Sequence, residues 1–303
     1  MNTATTVAPP PTARYTWGGD EFLFVEIDEA MSLAANLRAM SIARGLAARD
    51  LDGVIDICPA NASLLIRFDP DVVAPDALEA AVRDLEASAR EAAHTVLSTR
   101  IIEVPVWYDD PYTREVAARF REGYHQDPSG TDLDFAARVN GLADAAEFIR
   151  RHHERPWIVS MVGFVAGLPF LFQLTEREQQ LEVPKYLSPR TDTPKLTVGH
   201  GGCFGAIYSV RGAGGYQMFG IAAVPIFDPA QALPDFTDSM VFFRPGDIVK
   251  FAPVTEDEYL AIQAEVDAGT YRYRIADVEF DADRAVFDPL GYNDTLLGAL
   301  NGR

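Results

Sequence analysis

Arg190 is the residue whose type and setting best suit chemistry. It ends the proline-stiffened run Ser188-Pro189-Arg190-Thr191. A planar guanidinium on such a loop is a fork for a carboxylate, carbamate or phosphate. The alternative is a surface arginine paired with Asp192 or another neighbour. Further on, seven glycines fall within positions 199–215, in Gly199-His200-Gly201-Gly202-Cys203-Phe204-Gly205-Ala206-Ile207-Tyr208 and Gly212-Ala213-Gly214-Gly215-Tyr216-Gln217. That density implies positive φ, or a backbone approached closely by another chain or a small molecule. A hairpin with wide turns would give the same pattern. No Lys-Ser or Lys-Thr pair follows, and the dinucleotide spacing is absent. A third segment, Gly163-Phe164-Val165-Ala166-Gly167-Leu168-Pro169-Phe170-Leu171, sets two glycines and a proline in an apolar run. It reads as a bent, close-packed loop or strand without charge for acid–base work.

The remaining candidates are weaker. His152-His153 precede Glu154 at a helix end, beside Arg150 and Arg151. Adjacent helical residues face apart, so the pair suits a cationic helix terminus better than a metal. Cys58 and Cys203 form neither a disulfide framework nor a zinc cluster, and are expected as buried free thiols, Cys203 on a strand. Asp247, in Pro245-Gly246-Asp247, suits the side-chain hydrogen bond of an Asx turn. There is no G-x-S-x-G elbow. These residue types and spacings alone name no catalytic group and no metal site.

Composition narrows the classes. The chain has 303 residues, 48% hydrophobic and 23% charged, with a net charge of -19. Such a charge repels a phosphate backbone, which argues against nucleic acid as a partner. The apolar runs near 158–172 are broken by Gly163, Gly167 and Pro169 and are too short to span a bilayer. No signal-peptide pattern opens the chain, so a cytoplasmic protein off the membrane is expected.

The elements that must position these residues follow from periodicity. Residues 1–14 read as a disordered, proline-rich tail. Strands are expected at 21–27, 53–58, 63–68 and 101–107, with amphipathic helices at 30–49 and 76–93. This β-α-β-β-α-β order is ferredoxin-like over about 15–100, although its last strand could equally begin the next domain. Residues 114–122, 133–139 and 143–153 read as helices. Short strands at 157–162, 170–174, 203–209, 216–222, 239–244 and 248–252 favour a closed or partly closed β-barrel over 101–303. A helix at 256–268, a strand at 273–280 and a helix at 293–300 complete the chain.

These motifs together resemble the allophanate hydrolase subunit 1 family, to which the B subunit of bacterial 5-oxoprolinase belongs. The same unit forms the first half of the urea carboxylase carboxyltransferase domain. Gly163 to Leu171 is similar to the family pattern G-F-x-P-G-F-P-Y-L, with Ala166, Leu168 and Phe170 as departures. His152 matches a histidine at that offset in the oxoprolinase subunits, and Lys185 to Pro194 resembles the proline-arginine stretch of both branches. Gly201-Gly202, Ile207-Tyr208 and Gly212 to Gln217 are closer to the urea carboxylase version, as is Arg138-Val139-Asn140-Gly141-Leu142 to its helical insertion. The resemblance implies an α+β fold: a small ferredoxin-like domain, then a cyclophilin-like β-barrel with a helical insertion and a C-terminal extension. It implies Arg190 and His152 as catalytic candidates. Gly163, Phe164, Gly167, Pro169, Gly201, Gly202, Tyr208, Gly214, Gly215, Tyr216 and Gln217 become contacts to substrate or partner on one concave face. It also implies a related second subunit of the allophanate hydrolase subunit 2 type, a small-molecule substrate, and carboxybiotin or ATP supplied to the complex. No cofactor would be held tightly by this chain. Two departures remove polar groups. Gly220-Ile221-Ala222 stands where both branches usually carry Gly-Arg-Thr, and Phe204-Gly205 where the oxoprolinase branch has Gln-Thr.

Overall fold

Residues 12–91 and 95–302 are described in a computed structural model, in which the chain divides into Met1–Thr95 and Val96–Arg303. In the first unit, β1 (Arg14–Gly18), β2 (Phe22–Glu26), β3 (Val54–Pro59) and β4 (Ser63–Phe68) form an antiparallel sheet in the order β1-β2-β4-β3. Alternation along β4 buries Leu64, Ile66 and Phe68 and leaves Leu65 and Arg67 exposed, so one face of the sheet is apolar. Helices α1 (Leu33–Arg49) and α2 (Pro75–Glu91) cover it with Ile42, Leu46, Leu78 and Val82. A buried Arg38–Glu86 ion pair joins the two helices.

The ferredoxin-like expectation needs correction at its fourth strand. The expected strand at 101–107 is part of β5 (Val96–Tyr108), which pairs with strands of the second unit. Its place beside β2 is taken by β1, in register from Arg14↔Glu26 to Gly18↔Phe22. A tight hairpin closes a far shorter loop than a strand many residues away. β5 also buries Ile101, Ile102, Val104, Pro105 and Val106, a two-faced pattern that suits a barrel rather than a half-exposed edge. The tail expected over 1–14 lies outside the described residues up to position 11. Beyond it Ala13 is buried and Arg14 opens β1.

In the second unit seven strands close on themselves. The order is β12 (Gln217–Ala222), β9 (Thr197–Gly201), β10 (Phe204–Ile207), β7 (Pro169–Gln173), β6 (Trp157–Val162), β13 (Ile248–Pro253) and β5, which pairs back to β12. The 13-residue length of β5 makes closure possible. Its first half carries the added strand β14 (Ile275–Asp281), while Val106–Tyr108 take Gly220–Ala222 of β12. Ile102, Val104, Trp157, Val198, Ile207 and Phe251 belong to the core. Between β5 and β6 run α3 (Pro111–Arg119), α4 (Asp132–Val139) and α5 (Ala145–Glu154), of which α4 and α5 pack through Leu133, Phe135 and Phe148 on Phe219. α6 (Glu256–Asp267), α7 (Ala282–Phe287) and α8 (Pro289–Leu300) complete the unit, with a two-stranded ribbon of β8 (Arg190–Thr193) and β11 (Gly212–Gly214). The strand expected at 239–244 does not form. Phe242 and Phe243 are both buried there, which strand alternation on a half-exposed sheet does not allow, and Val241 makes only an isolated bridge to Phe227. No described helix is long and apolar enough to cross a membrane.

Candidate functional site

The β8–β11 ribbon sets Arg190 opposite Gly214. The arginine is 0% exposed, so the surface pairing with Asp192 is ruled out. Asp192 is instead held by Arg211 (2.7 and 2.8 Å) and Arg119 (2.9 Å), which keep its carboxyl below the usual range. Arg190 Nη2 donates to Thr193 Oγ1 at 3.3 Å, and the guanidinium lies 4.3 Å over the Tyr186 ring. The Tyr208 hydroxyl is a close electrostatic neighbour. Nε and Nη1 have no acceptor among the described residues, which leaves their three N–H bonds unused. Gly214 is required here, because a Cβ would stand 2.5 Å from the Tyr208 hydroxyl and 2.8 Å from Thr193 Oγ1. Burying an ion costs several kcal/mol. A desolvated cation–π contact returns about 2 kcal/mol, and one charged hydrogen bond roughly 1.5–3 kcal/mol. The N–H bonds at Nε and Nη1 are donors of the kind an anion's oxygens accept from.

Beneath Arg190 lies a buried polar network with no counterpart in the sequence expectations. Tyr186 donates to Asp132 Oδ1 and Oδ2 at 2.8 and 2.9 Å. Asp132, 2% exposed, also accepts from Arg121 Nη2 and from the Met218 backbone, each at 2.8 Å. Burial, then Asp132, raises the Tyr186 phenol well above its ordinary value, so it stays a donor. His125 Nε2 donates to Gln217 Oε1 at 2.8 Å while Nδ1 accepts from the Asp127 backbone, and Gln217 Nε2 donates to the Pro184 carbonyl at 2.9 Å. Both polar atoms of Gln217 thus have a partner within the fold. Asp132 carries no sequence signal of this role, because Thr131 and Asp134 around it form an ordinary capping box. Tyr186 is visible in its motif, but not its contacts.

The glycine segments surround this centre. β9 and β10 form a hairpin in register Gly201↔Phe204, with Gly202 at φ 63° in the turn, where only glycine is unstrained. A Cβ on Gly201 would collide with the Tyr216 ring. The Gly215 carbonyl accepts from Tyr186 N at 2.8 Å. The 163–168 loop joins β6 to β7, which begins at Pro169, and contributes Leu168 to a cluster with Tyr208 and Tyr216. Gly167 has φ 73°, and Phe164, at φ 69°, is 72% exposed at the loop's tip. Cys203 is half-buried in the β9–β10 turn rather than on a strand, and Cys58 is exposed, not buried.

His152 lies elsewhere. It is 0% exposed, so neither a cationic helix end nor an open catalytic position describes it. Its Nδ1 shares a hydrogen bond with the Tyr108 hydroxyl at 2.8 Å, and its ring stacks on Phe251. It shares no partner with Arg190 among the described residues. Burial, then His200 and His153, lowers its pKa well below the ordinary imidazole value. Asp247 likewise does more than shape a turn, since both its oxygens hold Arg100. At the two departures, Ile221 is 7% exposed, Ala222 is fully buried, and Gly205 packs against Trp157. Ile221 lines a cleft of about 320 Å³ with Tyr112, Arg119 and Arg211. A larger cleft, about 740 Å³, runs over α3 and reaches Asp132, Met218 and Phe219. Arg190 lines neither of these two clefts. Among the described residues, no group of three or more His, Cys, Asp and Glu could hold a metal ion.

Comparison with known proteins agrees with this architecture. Residues 13–237 match the model of the carboxyltransferase domain, subdomain C and D. The chain is 30% identical over 240 residues to the 5-oxoprolinase B subunit of Escherichia coli O157:H7, covering 78% of this chain and 94% of that protein. It is 28% identical over 255 residues to the protein of the same name from Bacillus subtilis, covering 82% and 95%. It also aligns at 26% identity with urea amidolyase of Saccharomyces cerevisiae, spanning 89% of this chain but 15% of that protein. The structure of the K. lactis urea amidolyase superposes with a TM-score of 0.79 over 99% of this chain and 18% of that one, at 23% identity, and so shares the fold. With the closed barrel, the helical insertion and these matches in agreement, the chain belongs to the family of the carboxyltransferase domain, subdomain C and D.

Proposed function

We propose that this chain is one subunit of a two-subunit carboxyltransferase- or amidohydrolase-type enzyme acting on a small urea-like, amide or lactam substrate. Its active site is shared with a related second subunit of the allophanate hydrolase subunit 2 type, and the chain is inactive alone. The observation that carries the reading is the sealed Arg190 guanidinium, with Nε and Nη1 unpaired between Tyr186 and Tyr208. It suits the carboxylate, carbamate or phosphate oxygen of a group brought by carboxybiotin or ATP, which would supply the transferable carboxyl or phosphoryl group to the complex. Because Arg190 is closed from solvent, access requires a rearrangement, which we assign to docking of the second subunit. The barrel is of the cyclophilin-like kind in this reading, and Phe164 at its exposed loop tip contacts the partner.

A second reading, the ATP-dependent lactam-opening subunit, is favoured by alignment with the 5-oxoprolinase B subunits over 94% and 95% of those proteins. The test is co-purification with the second subunit, then assay of lactam-stimulated ATP hydrolysis with and without a biotin carrier. ATP turnover on a lactam without biotin selects the second reading, and biotin-dependent carboxyl transfer selects the first. An assembled complex with neither activity would make the chain a non-catalytic regulatory subunit. Arg190→Ala is expected to leave assembly intact and lower turnover by roughly 10²–10³-fold. Unchanged turnover would remove Arg190 from the mechanism.

A further inference from the structure

We infer that Tyr186 and Asp132 are positioning residues for Arg190, holding its guanidinium by the π-face while keeping Nε and Nη1 free for a planar carboxylate or carbamate. The inference rests on the reading above that Arg190 receives the anion. Its basis is the order of contacts. Asp132 is anchored from three directions: by α4, where it is the first residue, by Arg121 Nη2, and by the Met218 backbone of β12. Tyr186 spans the gap, its hydroxyl shared by both Asp132 oxygens and its ring under the guanidinium at 4.3 Å. A second tether holds the same residue, since Tyr186 N donates to the Gly215 carbonyl next to Gly214, the residue opposite Arg190.

A carboxylate in direct contact with Arg190 would neutralise it and occupy the donors an anionic ligand needs. Interposing a phenol orients the cation without saturating it. The ring face attracts the guanidinium but accepts none of its in-plane N–H bonds. The Tyr186 ring packs edge-on against His125, and Asp132 supplies the fixed point for its hydroxyl. Asp132 also lines the 740 Å³ cleft over α3.

The test uses the full chain assembled with its second subunit, with malonate as probe in isothermal titration calorimetry and melting temperature measured in parallel. Arg190→Ala examines the underlying reading and is expected to abolish malonate binding. Tyr186→Phe keeps the ring but loses the anchor, and is expected to weaken binding roughly tenfold, the scale of one hydrogen bond. Tyr186→Leu, which removes the ring face as well, is expected to weaken it further by roughly 30-fold. Asp132→Asn is expected to behave like Tyr186→Phe. This ranking, with affinity falling more than the melting temperature accounts for, supports a positioning role. If Arg190→Ala abolishes binding while Tyr186→Phe and Asp132→Asn bind as the parent does, the inference fails and the reading of Arg190 stands. If the assembled parent does not bind malonate, or Arg190→Ala binds it equally well, the reading fails and takes the inference with it.

Discussion

His200 makes the clearest residue-scale prediction because its charge state is set by burial. Its Nε2 faces the carbonyls of Leu181 and Gly202 at 3.0 and 3.1 Å, while Nδ1 has no partner among the described residues. Burial lowers its pKa to about 4, outweighing those two carbonyls, which pull it up. The unfolded chain therefore takes up a proton near the ordinary imidazole pKa of 6.5 that the folded chain refuses, so stability rises with pH between those values. From pH 7 to pH 5 the protein should lose about 2 kcal/mol through this one group. His152, shifted in the same direction, adds to the loss. Urea unfolding at the two pH values checks this, and His200→Gln should flatten the dependence. A slope unchanged by that substitution would show that His200 does not carry it. Nothing in the run Gly199-His200-Gly201 marks the imidazole as sealed. Likewise, Arg190 is recognisable in the sequence as a guanidinium on a stiff loop, but not as a buried one.

Glycine placement governs the element scale. Gly220 lies where β12 meets β5, and a Cβ there would stand 2.5 Å from the Trp107 carbonyl oxygen and 2.9 Å from Tyr108 Cα. These are backbone atoms of the strand that closes the barrel and cannot step aside as a side-chain tip can. Gly220→Ala should therefore cost about 1–3 kcal/mol in overpacking. A Cβ on Gly212 of β11 would meet nothing within 4 Å. Gly212→Ala should be neutral or gain up to about 1 kcal/mol by restricting the unfolded chain. Paired denaturant melts measure both, and equal effects would refute the closure argument. The same scale explains which elements are legible. Helices α2 and α6 and strands β4, β6 and β13 follow from periodicity and caps. β8, β9 and β11 do not, since they are short and carry Asp192 or glycines, residue types that strands disfavour. What holds them is close approach by neighbours such as Tyr216.

For the whole molecule, the decisive fact is where β5 goes. All of its described strand pairings lie within Val96–Arg303, and the seven-stranded ring closes there without a strand from the first unit. A chain beginning at Val96 should accordingly fold alone, with a single cooperative thermal transition and dispersed amide resonances. A molten product would show that closure depends on residues before it. Family membership belongs to this scale too, resting on a match that runs through both units, over residues 13–237.

The sequence by itself determined the family, most helices and the presence of a barrel. Hydrophobic period, capping residues and motif order are local properties that survive without coordinates. It also placed Arg190 and the glycines among the residues of interest. Only the tertiary structure decided that β1 and not β5 completes the first sheet. Pairing partners are chosen by loop closure and two-sided burial, which no local pattern records. Only the structure could separate His152 from Arg190, seal both from water, and bring Asp132 and Tyr186 beneath the guanidinium. Burial, and the absence of a counter-ion among the described residues, are relations among residues distant in the chain, and they turn an ordinary arginine into a candidate anion site.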